Sequence, residues 1–313
     1  MNAEITIVTA FYDIGRASIK GFERDYKRYI EYFSFWAGLK NELVIFTSED
    51  FADEILAVRE KLGLKDKTKI VVKELESFDS EALSKMREVF ANFNQSKGRK
   101  NPQNIECISA EYDYLMYCKP FFVCDAIEKG LTGDKVLWLD FGFNHGTDFF
   151  TDKSQFNFTL SVQEGLKDDK INFFALKDKE EAHLAQLYYS MDVYLIGGLI
   201  YGGCKVWAEF KKHFSEALRA FLSLQLVDDD QIFLIWCARN YPQSYNIVRN
   251  KGHWFDSLSF FIPPQIRLNL NCKEARMKPH KKAKKAMQEA LSQKLYLKAL
   301  FYALKYIFKK LFK

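Results

Sequence analysis

The chain has 313 residues, of which 48% are hydrophobic and 16% are aromatic. A chain of this length and composition buries a sizeable core, which excludes a disordered protein and allows one large domain or two small ones. The net charge of +5 is unevenly spread, because residues 273–313 carry 13 Lys and Arg against two acids and leave an acidic remainder. Such a basic tail indicates contact with an anionic surface, and the acidic body argues against a protein that wraps nucleic acid.

Predicted strands and helices alternate along the first part of the chain. The predicted strands cover residues 5–11, 43–46 and 69–75, and the predicted helices between them cover 26–37 and 52–62. The strands are rich in β-branched and apolar residues, whereas the helices repeat apolar residues at a period near 3.6. This order is typical of an α/β sheet with parallel strands and right-handed crossovers.

The second part of the chain continues the same pattern. Helices are predicted over 79–94, 108–129, 205–224 and 229–240, and strands over 136–140, 173–176, 194–196 and 245–248. Pro263 and Pro264 are expected to end the compact body. We therefore expect one domain over residues 1–265 and a separate basic segment over residues 266–313.

A buried strand is predicted to deliver Asp140 to its carboxyl end, with Asn144 and His145 just beyond it. Open α/β sheets bind ligands at this edge. A carboxylate there is costly unless a charge pairs with it, and a divalent cation that bridges a diphosphate would do so. The alternative is an Asp that caps the next turn or helix. Spacing alone leaves both open.

Two cations are expected near the same sheet edge. Lys119 lies on the helix before the Asp140 strand, and Arg16 lies in the loop after the first strand. Together they would suit a diphosphate. The alternative for each is an ordinary solvated surface charge.

A glycine-rich segment follows in residues 196–203, where Gly197-Gly198 and Gly202-Gly203 flank an apolar triplet. Glycine allows a ligand to approach the backbone closely, so a sugar could lie flat against this segment. A tight hairpin explains the same pattern equally well.

Three consecutive acids, Asp228, Asp229 and Asp230, open the helix predicted over 229–240. Capping of the helix explains one or two of them, and the third invites a second role, such as orienting a sugar hydroxyl or acting as a base. Further on, His253 stands beside Trp254 in a late loop. It could ligate a metal or hydrogen-bond a phosphate, or it could be an ordinary loop residue.

The tail is predicted to be an amphipathic helix from residue 291 onward, with apolar residues on one face and lysines on another. Its longest apolar stretch, Ala299–Leu304, is too short to cross a bilayer. Such a helix lies in a membrane interface, or alternatively packs on the body. Packing would leave the Lys-rich run 278–285 unexplained, so we favour attachment to an anionic membrane surface.

The cysteine pattern bears on the compartment. Six cysteines, at positions 107, 118, 124, 204, 237 and 272, show neither close pairs nor the spacing of a zinc site. We interpret them as small buried residues in a reducing compartment. The first strand begins near the amino terminus without a signal stretch before it. The sequence therefore predicts a cytoplasmic protein that is peripheral on the inner face of the cytoplasmic membrane.

Three segments carry a resemblance to known families, namely residues 8–16 (VTAFYDIGR), 35–37 (FWA) and 138–143 (WLDFGF). With the Lys-bearing helix, the glycine segment, the Asp-Asp-Gln helix start and the late Gly-His-Trp, they resemble glycosyltransferases of the GT-A fold. More specifically, residues 5 to about 265 are similar to the HtrL/YibB-like bacterial proteins. The resemblance implies a GT-A-like, Rossmann-like α/β fold with a mixed, mainly parallel sheet flanked by helices, before the C-terminal basic amphipathic helix.

The resemblance also implies roles for individual residues. The donor nucleotide and its diphosphate would lie against Ala10, Phe11, Arg16 and Lys119, and the sugar and acceptor near Gly197, Gly198, Gly202 and Gly203. Asp229 and Asp230 would be catalytic, beside the reacting carbon. Asp140 would bind Mn²⁺ or Mg²⁺ as the first acid of an Asp-x-Asp motif, with His253 near the metal or phosphate. The second acid is replaced by Gly142, which leaves Asn144 or His145 as substitutes and leaves metal dependence open.

These inferences favour a hexosyltransferase-type glycosyltransferase. It would move a sugar from a nucleotide-diphosphate donor, such as a UDP-sugar, to a lipid-linked or cell-surface glycan of the lipooligosaccharide or capsule type. The alternative is a non-catalytic protein of the same fold that binds a glycan or a nucleotide sugar. Both interpretations require Lys119, Asp140 and Asp230 to converge on one site.

Overall fold

The computed structural model describes residues 4–19, 23–145, 152–177, 181–250, 254–266, 279–292 and 295–311. These residues form two compact units. The larger unit is built from residues 4–145 and 153–266, and the smaller contains the two C-terminal helices. All the predicted site residues that the structure describes belong to the larger unit.

A seven-stranded sheet forms the centre of the larger unit, within the part of the chain that is described. The strand order is β3-β2-β1-β4-β6-β5-β7. Every pairing is parallel except those of β6, which runs antiparallel to both β4 and β5. The strands are β1 (Ile5–Phe11), β2 (Leu43–Thr47), β3 (Thr68–Val72), β4 (Lys135–Leu139), β5 (Ile171–Ala175), β6 (Leu195–Gly203) and β7 (Tyr245–Arg249). The expected α/β class, with a mixed and mainly parallel sheet flanked by helices, is confirmed.

Helices connect and flank these strands. They are α1 (Tyr26–Trp36), α2 (Glu49–Glu60), α3 (Ser80–Asn92), α4 (Ala110–Tyr117), α5 (Lys119–Glu128), α6 (Leu184–Ser190), α7 (Trp207–Ser223) and α8 (Asp230–Asn240). Side chains cap several of them, because the first backbone amides of a helix have no partner within it. Asp25, Asp79, Ser109 and Asp229 each accept a hydrogen bond from such an amide.

The single helix predicted over residues 108–129 is wrong, because the structure has two helices that meet at Cys118. Pro120 lies in the first turn of α5, where its missing amide proton costs nothing. The break therefore starts a new helix at Lys119, and this start directs the Lys119 side chain into the interior.

The glycine segment lies within one strand instead of forming a hairpin. We expected a strand only over residues 194–196, but β6 continues through both glycine pairs to Gly203, and every residue of it is buried. Strand pairing on both sides supplies its backbone hydrogen bonds. Neighbouring groups on the two faces of the sheet therefore explain why these positions are glycine. The low strand propensity of glycine is the reason that the sequence did not indicate a strand here.

The smaller unit contains α9 (Pro279–Ser292) and α10 (Tyr296–Leu311), which pack against each other. Small residues lie at their contact, since Ala283, Ala290 and Ala299 are buried. The predicted apolar face of α10 is exposed: Leu297, Leu300, Phe301, Leu304, Ile307 and Phe308 are all at least half accessible. Among the described residues, no helix has the length and apolar character that crossing a bilayer requires.

Candidate active site

The carboxyl end of β4 meets the first half of β6, and this register assembles the site. Leu139 pairs with Leu199, and the backbone amide of the next residue, Asp140, donates to the carbonyl of Gly198 at 2.9 Å. The Asp140 carboxyl therefore lies beside the first glycine pair. Its Oδ1 atom accepts a hydrogen bond of 2.7 Å from the Trp138 indole.

Lys119 is a buried cation held between two carboxylates. Its Nζ lies 2.9 Å from Asp140 Oδ1, forms an ion pair with Asp230, and donates to the Gly197 carbonyl at 3.0 Å. Burial opposes the charged form, but Asp140 and Asp230 outweigh it and raise the pKa of Lys119. The convergence of Lys119, Asp140 and Asp230, predicted from three distant segments, is present in the structure.

This geometry corrects the predicted role of Lys119. An ammonium group has three protons, and here Gly197, Asp140 and Asp230 take all three. The side chain is 2% exposed, so it is neither a solvated surface charge nor a group that faces a diphosphate. Lys119 instead fixes the positions of Asp140 and Asp230.

The first glycine pair has two different neighbours. A Cβ atom on Gly197 would lie 2.1 Å from Asp230 Oδ2, whereas a Cβ atom on Gly198 would lie 3.3 Å from Asp140 Oδ2. Successive residues of a strand face opposite sides of the sheet. Gly197 therefore makes room for the buried Asp230, and Gly198 leaves space beside Asp140.

The second glycine pair lies away from this site, and its predicted placement near a sugar is wrong. Gly202 and Gly203 pair with Val136 and Lys135 at the opposite end of β4 from Asp140. A Cβ atom on Gly203 would lie 2.4 Å from the Asp168 carbonyl oxygen, and one on Gly202 would lie 2.8 Å from the Ile171 side chain. Close packing explains both glycines.

The three consecutive acids have three different partners. Asp228 forms a buried ion pair with Arg99 at 2.8 Å, Asp229 accepts from the Gln231 amide as the cap of α8, and Asp230 pairs with Lys119. Burial raises the pKa of Asp230, and Lys119 opposes that shift. Asp229 and Asp230 are both buried, so neither carboxylate is presented to solvent. Their predicted catalytic role stays a prediction.

A cleft opens beside Asp140, at the carboxyl ends of β1 and β4. Aromatic side chains make up much of its wall. Its lining includes Ala10, Phe11, Tyr12, Arg16, Arg24, Tyr26, Tyr29, Tyr112, Trp138, Asp140 and His145. The structure thus gathers Ala10, Phe11, Arg16 and Asp140 at one cleft, and their assignment to a nucleotide donor stays a prediction.

Arg16 is a buried cation that lines this cleft together with Arg24. The residue is 6% exposed, donates to the Tyr29 hydroxyl at 2.6 Å, and lies with its guanidinium carbon 5.5 Å from the centre of the Tyr112 ring. Its Nε atom is buried without a hydrogen-bond partner among the described residues, and no carboxylate of that part of the chain pairs with it. The solvated-charge interpretation of Arg16 is therefore wrong.

The predicted metal ligands that the structure describes, Asp140, Asn144 and His145, follow β4 within a few residues of one another. Asn144 is buried at 2% exposure, His145 lines the cleft, and His253 lies outside the described residues. Within the described residues, no group of three or more His, Cys, Asp or Glu side chains could hold a metal ion.

Asp140 has one carboxylate oxygen left for a cation. One Asp140 oxygen is taken by Lys119 and Trp138. Burial and the nearby Arg24 lower the pKa of His145, although Asp140 raises it, and the lower pKa favours the neutral imidazole that a metal requires. The binding of Mn²⁺ or Mg²⁺ stays a prediction, and no step of the proposed transfer depends on it.

Three residues of the site were not predicted from the sequence. Tyr112 and Arg24 line the cleft, and Trp254 lies against Gly198. Periodicity would have placed Tyr112 on a helix without indicating the face that meets Arg16. The aromatic beside His253 was visible in the sequence, but we assigned the function to the histidine.

The buried carboxyl of Asp113 makes the stability of the protein depend on pH. It is fully buried, and neither carboxyl oxygen has a hydrogen-bond partner among the described residues. Burial raises the pKa of Asp113 well above its usual range, and the nearby Asp228 and Asp229 add to this. The folded protein therefore holds this proton more tightly than the unfolded chain, so Asp113 weakens the fold progressively as pH rises above about 4.

We expect Asp113→Asn to remove this penalty. The stability difference between variant and native protein should grow in favour of the variant by up to about 1.4 kcal/mol per pH unit above pH 4. Urea unfolding at several pH values measures it. Asp125→Asn is the control of opposite sign, because hydrogen bonds from Lys129 and Lys73 overcome burial and lower the pKa of Asp125. Parallel pH profiles for Asp113→Asn and the native protein would contradict the prediction.

The fold and the site define an α/β protein with a cationic, aromatic cleft beside a buried Lys–Asp network. The chain belongs to the HtrL_YibB family, described as "Bacterial protein of unknown function", whose family model matches residues 3–263. Protein HtrL of Escherichia coli (strain K12) is 30% identical over 281 residues, which cover 83% of this chain and 93% of that protein. The resemblance inferred from the sequence motifs is thereby confirmed.

Among solved structures, the chain is similar to the apo form of mouse xyloside xylosyltransferase 1. The TM-score is 0.42 and the sequence identity is 11%, with 86% of this chain and 98% of that chain covered. A likeness at this level supports no argument about activity. The fold class rests on the strand order and directions described above.

Proposed function

We propose that the protein is a glycosyltransferase of the hexosyltransferase type. It moves a sugar from a nucleotide-diphosphate donor, such as a UDP-sugar, to a lipid-linked or cell-surface glycan, of the lipooligosaccharide or capsule type. One observation carries the proposal: a buried guanidinium, Arg16, that has no carboxylate partner among the described residues lines the same cleft as the partly exposed carboxylate of Asp140.

An unpaired buried guanidinium favours an anionic ligand. Burial of a charge costs several kcal/mol unless a counter-charge compensates it. Arg16 and Arg24 both line the cleft, and guanidinium groups match the oxygens of phosphate in charge and geometry. A diphosphate is therefore a suitable partner for this wall.

The remaining lining suits the other parts of a nucleotide sugar. The rings of Tyr26 and Tyr29 offer flat apolar surfaces on which a base can stack. Asp140 Oδ2 accepts no hydrogen bond from the described residues, and the side chain is 26% exposed. A carboxylate oxygen of this kind accepts from hydroxyl groups, which sugars supply in abundance.

The transfer would proceed by positioning and charge stabilisation. The acceptor hydroxyl attacks the anomeric carbon, the bond from that carbon to the phosphate oxygen breaks, and the electron pair leaves with the diphosphate. Arg16 and Arg24 stabilise this developing charge. The Tyr112 hydroxyl, which bonds to none of the described residues, is a further donor beside Arg16. The acceptor proton passes to a carboxylate, for which Asp229 and Asp230 are the predicted candidates.

The proposal predicts a large effect of Arg16→Met on binding. Loss of a charge-assisted hydrogen bond costs about 1.5–3 kcal/mol, so the Kd for a nucleoside diphosphate should rise by roughly one to two orders of magnitude. Calorimetry with UDP and GDP measures the effect. Arg28→Met is the matched control, since Arg28 also donates to a tyrosine hydroxyl, at 2.8 Å, but is exposed and lies outside the cleft lining. Equal losses in both variants would contradict the assignment.

Activity is tested by release of nucleoside diphosphate from a panel of sugar nucleotides, with and without Mn²⁺ or Mg²⁺. A thermal-shift screen selects the donor first, because a ligand at a hundred times its Kd adds about 2.7 kcal/mol of stability.

One observation favours the alternative of a non-catalytic binding protein: Asp230 already forms an ion pair with Lys119. Binding without release of diphosphate from any donor would support that alternative.

We further propose that α10 holds the protein on the inner face of the cytoplasmic membrane. Its exposed face carries Leu300, Leu304 and Phe308, at 58%, 60% and 62% exposure. Lys298, Lys305 and Lys310 are exposed on the same helix, which gives the complementarity that an anionic lipid surface requires. A membrane-bound acceptor would then be concentrated at the enzyme.

Replacing Leu300, Leu304 and Phe308 together by Ser should abolish sedimentation with anionic liposomes. Burial of each such side chain is worth about 1.5–3 kcal/mol, so the partition coefficient should fall by more than about a hundredfold. The matched control replaces three exposed aliphatic residues of the larger unit, Leu62, Val72 and Leu224, by Ser. Unchanged sedimentation of the α10 variant would refute the membrane proposal and leave the cleft proposal intact.

A further inference from the structure

Two further polar atoms without a partner among the described residues lie close to Gly198, on the face where its Cβ atom would be. Asp140 Oδ2 lies 3.3 Å, and the indole nitrogen of Trp254 lies 3.6 Å, from the point that a Cβ atom on Gly198 would occupy. The indole N–H is buried and donates to none of the described residues. A buried donor and a free acceptor thus face one small space that Gly198 keeps open.

We propose that Asp140, Gly198 and Trp254 form a subsite for one hydroxyl group of the transferred sugar. The hydroxyl donates its proton to Asp140 Oδ2 and accepts the Trp254 indole N–H. The proposal rests on the proposed function, because it identifies the part of a sugar nucleotide that this corner of the site recognises.

The chemistry of the two atoms selects the ligand group. A carboxylate oxygen only accepts hydrogen bonds and an indole N–H only donates them. A phosphate oxygen would satisfy the indole but meet the negative charge of Asp140, and an ammonium group or a metal ion would satisfy Asp140 but repel the indole N–H. A hydroxyl group donates and accepts through one oxygen, so it satisfies both atoms within a small space.

The surroundings fix both atoms in place. Asp140 is held through its other oxygen by Lys119 at 2.9 Å and by Trp138 at 2.7 Å, which leaves Oδ2 directed away from them. The Trp254 ring stands nearly perpendicular to the His145 ring, with 6.1 Å between their centres. Positions set in this way before binding reduce the entropy that a ligand must lose.

The experiment compares sugar nucleotides with the matching free nucleotides. Binding of UDP, UDP-glucose and UDP-galactose, and of GDP and GDP-mannose, is measured by calorimetry on the full-length native protein, Trp254→Phe and Gly198→Ala. Trp254→Phe removes the indole N–H and retains an aromatic ring, and Gly198→Ala fills the space. We expect both variants to bind the free nucleotide as the native protein does and the sugar nucleotide about three- to tenfold more weakly.

Trp207→Phe is the matched control. Its indole donates to the Gly202 carbonyl at the other end of β6, so this variant should retain the native ratio of the two affinities. Deoxy-sugar analogues sharpen the test further. The analogue that lacks the bound hydroxyl should lose more affinity for the native protein than for Trp254→Phe, because in the variant only the hydrogen bond to Asp140 remains to be lost.

The outcomes separate the two proposals. A native preference for the sugar nucleotide that persists unchanged in both Trp254→Phe and Gly198→Ala overturns the subsite and leaves the glycosyltransferase proposal standing. Equal affinity of the native protein for free nucleotide and sugar nucleotide also overturns the subsite. Failure of the native protein to bind any of these ligands overturns the proposed function, and the subsite with it.

Discussion

Lys119→Met should lower the free energy of unfolding by about 3–5 kcal/mol, because removing one partner of a buried ion pair leaves an uncompensated charge inside the protein. The Lys119 and Asp230 side chains are 2% and 5% exposed, so water cannot replace the lost ammonium group. Methionine has a similar length and no charge, which limits the loss of packing. Unfolding in urea should show a lower midpoint with an unchanged slope.

Two further variants separate the ion pair from other effects. Lys65→Met removes an exposed pair with Glu60, whose side chains are 56% and 53% exposed, and should change stability by less than about 1 kcal/mol. The double variant Lys119→Met with Asp230→Asn should be more stable than Lys119→Met alone, because the second change removes the stranded charge. A loss for Lys119→Met no larger than that for Lys65→Met would contradict this account.

Lys119→Met should also weaken ligand binding, although Lys119 itself does not contact the ligand. Lys119 is not among the residues that line the cleft, but it holds Asp140 at 2.9 Å. Without it, the Trp138 indole is the remaining hydrogen-bond donor to the Asp140 carboxyl among the residues that the structure describes. Lys119 is thus a positioning residue, and the loss of affinity should be larger for a sugar nucleotide than for the free nucleotide.

Local patterns in the sequence predicted most of the fold. Strands β1, β2 and β4 were predicted correctly because each consists of one continuous run of apolar residues. Such a run has to be buried whatever the register of strand pairing. The break between α4 and α5 was missed because the helical period continues through Cys118, although Pro120 gave a visible sign of it. β6 was underestimated because glycine disfavours strands, and the contacts that require it come from other elements.

The sequence indicated which residues lie together at the site, but it did not indicate how Lys119 is used there. Convergence of Lys119, Asp140 and Asp230 follows from placing charges at one edge of a parallel sheet. Burial of Lys119 could not be predicted, because its partners are far away in the sequence and each has an independent explanation as a helix cap or a metal ligand. Arg16 was correctly placed because a loop after β1 ends at the same edge.

Gly197→Ala should be as damaging as loss of Lys119. The added Cβ would lie 2.1 Å from Asp230 Oδ2 and 2.3 Å from Asp230 Cγ, and real Cβ atoms do not approach so closely. Asp230 has little freedom to move, because it is 4% exposed and tied to Lys119. Overpacking of a core costs about 1–3 kcal/mol, and displacement of Asp230 from Lys119 adds the cost of a broken buried pair.

A control glycine and a double variant test the cause of this loss. Gly133→Ala is the control for the substitution itself, since its Cβ would meet nothing closer than 3.8 Å and should change stability little. Combining Gly197→Ala with Asp230→Ala removes both sides of the clash, so the double variant should be no less stable than Asp230→Ala alone. Urea unfolding of Gly197→Ala, Asp230→Ala, the double variant and the native protein measures this non-additivity. Simple addition of the two single losses would mean that Gly197 is needed for the strand itself and not for the carboxylate that lies against it.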